Sequence, residues 1–410
     1  METDNLYDDD VTKGVARTSI FVAASRAIIT QKYLNLINSD TLNKDPTLHG
    51  GPSNNNTGSA YNSNNNNQYN SNINNKIKEI EIQHAREIIT KGIFQPHLIS
   101  HNDISFIRDQ ICIYDPFAVF FLDSVDSKKL LIDSFSKFYS SSTDNDIKDK
   151  ECQMFSEFVE KSHPLNSWLE FLSKRSISRI GFRTKYIDQV LMDSLSVRGS
   201  VPTSFFYTQV VFCGAGLDSR ALRLPIPAHV SVFEIDLPSV MDYKKKVLET
   251  AQKYIQPVSS CRLEHIAGNL VQDDRWISSL LDSGFNSAMH TLWIMEGLLM
   301  YLNENEISNL MNSISLLSAP NSKLLIHTVS PSLKESMSMS SNSDISPFIK
   351  FPQEEFVSYH SNPVELLEQY GFSKDTTCVS YVDLNSQFEC NDPQFQKSSF
   401  SKFSTGIFTG

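Results

Sequence analysis

The stretch Gln209-Val-Val-Phe-Cys-Gly-Ala-Gly-Leu-Asp-Ser-Arg220, with Val232-Phe-Glu-Ile-Asp-Leu-Pro238 close behind it, decides the fold of this chain. Val210 to Cys213 is a short apolar run with β-branched residues, the pattern of a strand buried on both faces. It breaks at Gly214-Ala-Gly216 into a segment able to start a helix, and a second apolar run, Val230 to Ile235, ends at Asp236. Strand, glycine turn, helix, strand and an acid 22 positions after the first glycine is the layout of a nucleotide-binding half-sheet. Glycines let backbone N–H groups approach a ligand closely, and a carboxylate at the second strand's tip can accept both hydroxyls of a ribose. A glycine turn after a strand is also an ordinary way to turn, so the pattern needs support from elsewhere. The third glycine of a dinucleotide fingerprint would fall at 219, where the chain has Ser219. That counts against a nicotinamide or flavin site and leaves a smaller adenosine ligand open.

Outside this stretch, 410 residues with 40% apolar and 10% aromatic side chains supply ample material for one sizeable core. A formal net charge of −11 argues against a general nucleic-acid or anionic-membrane binder, which needs a basic face. The cysteines at 112, 152, 213, 261, 378 and 390 form no CxxC pair and no Cys/His cluster. They read as reduced thiols, with no metal site and no disulfide framework. The acidic N-terminus lacks the basic-then-apolar order of a signal peptide, and no apolar run approaches the ~18 residues of a membrane span. The expectation is a soluble, cytoplasmic protein with no nucleic-acid or membrane partner.

Residues 11–35 mix Val15, Ile20, Phe21, Ala23, Ala24, Ala27, Ile28 and Ile29 with polar residues as a helix with a broad apolar face. Ser53 to Asn75 carries 12 asparagines among 23 residues, too polar to offset its ordering entropy, and reads as a disordered insert. Ile77 to Ile89 resumes a helical pattern, Ser140 to Glu151 reads as a polar loop, and Phe155 to Leu195 as helix with one break at His163-Pro164. Everything before about residue 200 is therefore helical. After it come strands at 209–213, 230–235, 263–267, 291–295 and 323–329, with helices between them. Asn303-Glu-Asn-Glu306 is a capping box for a helix whose core face is Ile307, Leu310, Met311, Ile314 and Leu317. Such alternation demands a doubly wound, mostly parallel α/β sheet with right-handed crossovers. Residues 330–350 read as a long loop, 363–370 as helix and 376–382 as strand. The alternating end Phe400 to Phe408 reads as an antiparallel edge strand.

Ligands of such sheets sit outside the C-terminal ends of the strands. Three polar residues fall at those ends, Asp236, Asn269 and Glu296, and the glycine turn makes a fourth strand tip aimed at one crevice. Asp236 has an alternative duty as cap of the helix that begins at Pro238. Glu296, at the end of a buried strand, must be paired. Asn269 taken by itself is an ordinary loop residue.

Several segments together resemble the leucine carboxyl methyltransferase family, most closely its branch of S-adenosylmethionine-dependent methyltransferases without a settled substrate. They are Arg183-Thr-Lys-Tyr-Ile-Asp188, Val211-Phe-Cys-Gly-Ala-Gly-Leu-Asp-Ser-Arg220, Val232-Phe-Glu-Ile-Asp-Leu-Pro238, Glu296-Gly-Leu-Leu-Met-Tyr-Leu302 and Leu317-Ser-Ala-Pro-Asn-Ser322. Ala23-Ala-Ser-Arg-Ala27 and Asp115-Pro-Phe-Ala118 also look familial. The resemblance implies a class I methyltransferase (Rossmann-like) fold. Residues 1–200 would form a helical cap carrying the Asn-rich insert at about 50–75, and residues 201–410 a domain binding S-adenosyl-L-methionine, the two acting as one catalytic unit.

The resemblance also implies roles. Arg183 would hold the carboxylate of the methionine moiety, Gly214 would pack against that moiety, and Asp236 would take the ribose hydroxyls. Asn269 and Leu270 match an Asp-Leu pair beside the adenine, and Glu296 matches an acid near the cofactor's cationic end. Asn269 departs from the family's Asp: an amide donates as well as accepts. Arg26 matches a family arginine without an assigned role. The implied activity is methyl transfer to a carboxylate or other oxygen of a small molecule or protein. A carboxylate is ionised at neutral pH and needs no general base. The family's better-known branch methylates the C-terminal leucine carboxylate of a protein phosphatase. Two other readings fit the same sheet, an NAD(P)-dependent oxidoreductase and an inactive interaction module. Ser219 and the missing Tyr-x-x-x-Lys weigh against the first, and the joint presence of Gly214, Gly216, Asp236 and Glu296 against the second.

Overall fold

The helical half comes first. In the computed structural model it comprises α1 (Arg17–Asn38), α2 (Asn64–Thr90), α3 (Ala118–Leu122), α4 (Val125–Tyr139), α5 (Asn145–Lys161), α6 (Pro164–Phe171) and α7 (Lys174–Leu195). The structure describes residues 12, 16–39, 64–95, 98–139, 145–195, 207–272, 274–334, 356–396 and 399–410. α1 is buried on nearly every side from Ile20 to Ile37, and its buried cations are matched, Arg26 by Asp115 and Lys32 by Asp109. Two expectations need correcting here. The backbone of 64–75 is helical, so α2 begins inside the Asn-rich tract; 53–63 lie outside the described residues. Propagating a helix costs far less than nucleating one, and the Ile77–Ile89 pattern, with Ala85 and Ile88 buried, supplies the nucleus. Likewise α5 starts at Asn145 inside the expected polar loop, and the 155–195 segment breaks twice, at 162–163 and at 172–173.

The sheet half alternates as its apolar runs predict. Its order is β1 (Gln209–Cys213), α8 (Arg220–Arg223), β2 (Ser231–Asp236), α9 (Pro238–Ala251), β3 (Arg262–Ala267), α10 (Arg275–Asp282), β4 (Thr291–Met295), α11 (Glu304–Leu316) and β5 (Lys323–Val329). The expected capping box forms: Asn303 Oδ1 accepts from the N–H groups of Asn305 and Glu306, and Glu306 Oε2 accepts from Asn303 N–H at 2.8 Å. α12 (Pro363–Gln369), β6 (Lys374–Ser380), α13 (Tyr381–Gln387) and β7 (Ser401–Ile407) complete the chain. α13 takes Tyr381 and Val382, which the sequence pattern gave to the strand, because Ser380 and Asp383 form a second capping box. Most of the expected 330–350 loop lies outside the described residues.

Strand order is β3-β2-β1-β4-β5-β7-β6, with β1 to β5 parallel and β7 antiparallel to both of its neighbours. This is a doubly wound, mostly parallel Rossmann-like sheet, as expected. The antiparallel strand expected at the edge lies one place in from it: β7 pairs with β5 along its whole length, and β6 takes the edge. Alternate residues of β1 face opposite layers. Val210 and Phe212 join an apolar cluster that continues into α1, α3, α6 and α7, whereas Val211 and Cys213 join one under α10, α11 and α12. Two covered faces explain why β1, β2 and β4 read as apolar runs. The exception, Glu234 in mid-β2, is neutralised by Lys244 of α9 at 2.6 Å, both fully buried. The order reverses between β1 and β4, which puts the topological switch point at the glycine turn.

β7 holds its place through Gly406, where a Cβ would lie 2.3 Å from the backbone oxygen of Phe372. A backbone atom cannot step aside, so Gly406→Ala is expected to destabilise the protein by about 1–3 kcal/mol. The check is the thermal unfolding midpoint, which should fall; an unchanged midpoint would show that β7 is not so confined.

Candidate functional site

A cavity of about 290 Å³ opens at the switch point, and all six residues singled out in the sequence, Arg183, Gly214, Asp236, Asn269, Leu270 and Glu296, line it. Four strands contribute their C-terminal tips, α7 contributes Arg183, and α1 closes the top through Ser19, Val22 and Arg26. The β5–β7 side adds His327, Val329 and Ser401.

Gly214 and Gly216 both have positive φ, 69° and 49°, which makes the turn depend on glycine. A Cβ on Gly214 would also stand 3.1 Å from Leu298. The N–H groups of this turn do not face a ligand, contrary to expectation. Gly214 and Ala215 both donate to Ile235 O, at 2.9 and 3.1 Å, and Gly216 donates to Asp236 Oδ2 at 2.6 Å. The N-terminus of α8 is occupied as well, by Asp218, whose Oδ1 accepts from Arg220 N–H at 2.7 Å. An internal carboxylate thus stands where a dinucleotide site would seat a phosphate.

Asp236 receives one N–H on each carboxylate oxygen, Gly216 on Oδ2 and Leu237 on Oδ1 at 2.7 Å. It bonds no N–H inside α9, so capping is not its duty. Burial raises its pKa despite the two N–H donors, and each oxygen keeps a lone pair for a hydroxyl donor. Asn269 Oδ1 accepts from Val271 and Gln272 N–H groups at 3.0 and 3.2 Å, a local turn that leaves the amide's Nδ2 as its free function.

Glu296 is paired, as a buried strand-end acid must be. Its Oε1 lies 2.5 Å from Arg183 Nε, too far out of line for a hydrogen bond, and its Oε2 accepts from Arg220 Nη1 at 2.7 Å. Arg220 also meets Asp218 through Nη1 and Asp188 through Nε at 2.6 Å. Asp188 accepts in turn from Arg223 Nη2, whose Nε lies 3.9 Å from Asp115. Asp115 accepts from Arg26 Nε at 2.7 Å, and Arg26 Nη2 donates to Leu217 O. Arginines 26, 183, 220 and 223 therefore alternate with acids 115, 188, 218 and 296 in one buried chain of zero net charge. It runs from α1 through the glycine-turn loop to β4. The sequence showed most of these residues inside familial segments but gave them no partners, because the partners are far apart along the chain.

Residues 106–315, just over half of the chain, match the family model described as leucine carboxyl methyltransferase. The chain belongs to the leucine carboxyl methyltransferase family. A relative from Mycobacterium tuberculosis (strain ATCC 25618 / H37Rv), named "Putative S-adenosyl-L-methionine-dependent methyltransferase Rv0281", is 38% identical over 151 residues, 37% of this chain and 45% of that protein. One of the same description from Parafrankia sp. (strain EAN1pec) is 33% identical over 147 residues, 36% of this chain and 43% of its own. The match thus spans less than half the length of these curated relatives. Among solved structures, magnesium protoporphyrin IX methyltransferase from Synechocystis PCC 6803 with bound SAH overlaps 57% of this chain and 87% of its own at 12% identity and TM-score 0.35. The CurJ carbon methyltransferase overlaps 69% and 68% at 12% identity and TM-score 0.38. At such values the likeness says nothing of what this chain binds.

The network has a measurable signature. Burial alone would raise the pKa of Glu296, but Arg220 and then Arg183 outweigh it and hold the carboxyl well below its usual range; Asp218 is lowered in the same way, chiefly by Arg220. Folded values below unfolded ones mean that the stabilisation is complete above the ordinary carboxylate range, about pH 4–4.5, and is lost progressively as pH falls from there toward the depressed folded values. Glu296→Gln should cost about 3–5 kcal/mol near pH 7 by stranding Arg220 and Arg183. The gap from the wild type should narrow as urea unfolding is repeated down to pH 3. A gap independent of pH would contradict the network.

Proposed function

We propose that the cavity binds S-adenosyl-L-methionine and that the chain transfers its methyl group to an acceptor oxygen, a carboxylate above all. One observation carries this reading: a ribose-type carboxylate (Asp236) and an arginine–glutamate couple (Arg183, Glu296) line one cavity whose glycine turn offers no phosphate seat. The ligand that suits them is an adenosine bearing an amino acid, not a dinucleotide. The internal hydrogen bonds of Gly214 and Ala215, and Asp218 at the start of α8, weigh against the oxidoreductase alternative. Family membership and the names of the relatives support the same activity.

The residues present fit that cofactor. Asp236 accepts the ribose hydroxyls with the lone pairs that Gly216 and Leu237 leave free. Arg183, which holds Glu296 by charge but not by a formed hydrogen bond, can swing its fork to an α-carboxylate while Glu296 turns to an ammonium. Gly214 lets that amino-acid portion lie against the turn. The cofactor supplies, when bound, a methyl group already activated on a sulfonium. What remains for the protein is to align the acceptor and exclude water, and α1 and α7 form the walls that do so.

Calorimetric titration with S-adenosylmethionine tests the reading. The folded wild type should bind, and Asp236→Ala should weaken binding at least about tenfold, because hydrogen bonds to a charged group are worth about 1.5–3 kcal/mol each. No binding heat from the intact, folded protein would sink it.

Asn269 provides a second, oppositely signed test. Its oxygen is consumed in the local turn, so its amide cannot accept from an adenine amino group. Asn269→Asp keeps the turn with one oxygen and offers the other as acceptor, so S-adenosylmethionine affinity should rise by about 1 kcal/mol, some fivefold. A fall in affinity would place the adenine elsewhere.

A further inference from the structure

The β5–β7 side of the cavity contains two groups that the cofactor reading does not use. His327 of β5 is buried, only 5% exposed, lines the cavity, and has no hydrogen-bond partner on either ring nitrogen. Its ring is held by stacking on Phe403, its cross-strand partner on β7, with centroids 4.6 Å apart and planes 13° apart. Arg179 of α7, one turn before Arg183, lines the same side. Its Nη2 donates to Ser401 Oγ at 3.4 Å and its guanidinium lies over the Tyr381 ring at 5.4 Å. Among the described residues no carboxylate pairs with it. Every other arginine of the cavity region is matched by an acid of the network. Around these two groups the wall is apolar: Met300, Val329 and Leu333 form a small cluster of their own, with Tyr301 and Phe356 packed on it.

A buried imidazole with no partner is destabilising unless something supplies one, and a cation without a carboxylate facing a cavity is a seat for an anion. We propose that Arg179 and His327 are the acceptor-recognition pair: the guanidinium holds the carboxylate of an apolar-bodied acid, and a neutral imidazole hydrogen-bonds the acceptor beside it. This rests on the β1–β4 half of the cavity being the cofactor site. The imidazole is suited to positioning and not to proton abstraction. Burial first, then the charge of Arg183, pushes its pKa down to about 3, with Arg179 acting in the same direction and Glu296 against. A base that weak is of little help to a hydroxyl acceptor. A carboxylate needs none. One of its oxygens forms a bond to the methyl carbon as the S–CH₃ bond breaks, the electron pair stays on sulfur, and no proton moves. The anionic charge of the acceptor and the sulfonium charge cancel in the products, a neutral ester and a neutral thioether. The apolar cluster of Met300, Val329 and Leu333 receives the body of the acid.

The full-length chain can be titrated with S-adenosylhomocysteine, and then with decanoate as a probe acid and decan-1-ol as its uncharged counterpart. Wild type saturated with S-adenosylhomocysteine should bind decanoate at least about tenfold more tightly than decanol, since the anion gains a charge-assisted bond. The His327 ring nitrogens, followed by ¹⁵N NMR, should shift on adding decanoate. Arg179→Met should abolish the preference for the acid. His327→Phe keeps the stack on Phe403, and removing two unpartnered polar atoms should leave the unfolding midpoint equal or higher while weakening decanoate binding. S-adenosylhomocysteine affinity should change less than decanoate affinity in both variants, because no hydrogen bond joins either residue to Arg183, Asp236 or Glu296. If S-adenosylhomocysteine binds but the acid is not preferred, or both variants bind it like the wild type, the recognition pair is overturned. A lower unfolding midpoint for His327→Phe with unchanged decanoate binding would make His327 a packing residue. Failure of wild type to bind S-adenosylhomocysteine would instead overturn the cofactor reading, and this proposal with it.

Discussion

Arg220 is the residue on which the arrangement depends. Its side chain is 1% exposed, a charge that burial strongly disfavours, and it is tolerable only because Asp188, Asp218 and Glu296 surround it. Those acids belong to three different parts of the chain: α7, the loop after the glycine turn, and the tip of β4. Satisfying one guanidinium therefore fixes the helical half against two strand ends of the sheet. Arg223 and Arg26 extend the same logic to the Asp115 turn and to α1. A half-satisfied network would be worse than an apolar core, so its members stand or fall together, and the cavity walls with them.

That constraint bears directly on chemistry. The network ends at Arg183 and Glu296, an ion pair without a well-directed hydrogen bond. Arg220 in the interior bonds three acids, whereas this last link faces the cavity, where the proposed reading exchanges it for the two charges of an amino acid. A rigid interior with an exchangeable end gives preorganised charge at the reacting end of the cavity. The glycine turn is organised to opposite effect: its donors are consumed by Ile235 and Asp236, which leaves a close, uncharged wall. In the proposed reading, together they select for an adenosine carrying an amino acid and against a diphosphate.

Much of this was legible in the sequence. β1, β2 and β4 are short apolar runs ended by Gly214, Asp236 and Glu296, and both faces being covered made them stand out. The face of α11 could be read from period and capping box alone. Gly214, Asp236, Asn269 and Glu296 could be placed on one crevice because strand tips converge by topology, which follows from alternation of elements; Arg183 and Leu270 rested on the family resemblance. The rest depended on contacts distant in sequence. Nothing local says that β7 inserts between β5 and β6, since that is decided by pairing with residues 72 to 84 positions earlier and by the close approach at Gly406. The helical start of α2 inside an asparagine tract follows from its apolar continuation, not from its own composition. Arg220, Asp188 and Asp115 were visible as residues of familial segments, but a network exists only once the chain brings them together. His327 looked like one more position of a buried strand. Its signal, a polar residue amid Leu324, Leu325 and Ile326, was present in the sequence, and burial without a partner emerged only in three dimensions.

The central claim is that the Arg183–Glu296 end of the network and Asp236 together form one site for an adenosine-bearing amino acid. A crystal structure of the protein with S-adenosylhomocysteine tests it most directly. The account predicts the ribose on Asp236, the carboxylate on Arg183 and the ammonium on Glu296, with Arg220 still bonded to Asp188 and Asp218. A ligand bound elsewhere, or one in this cavity with Arg183 and Glu296 still closed on each other and the ribose away from Asp236, would contradict it.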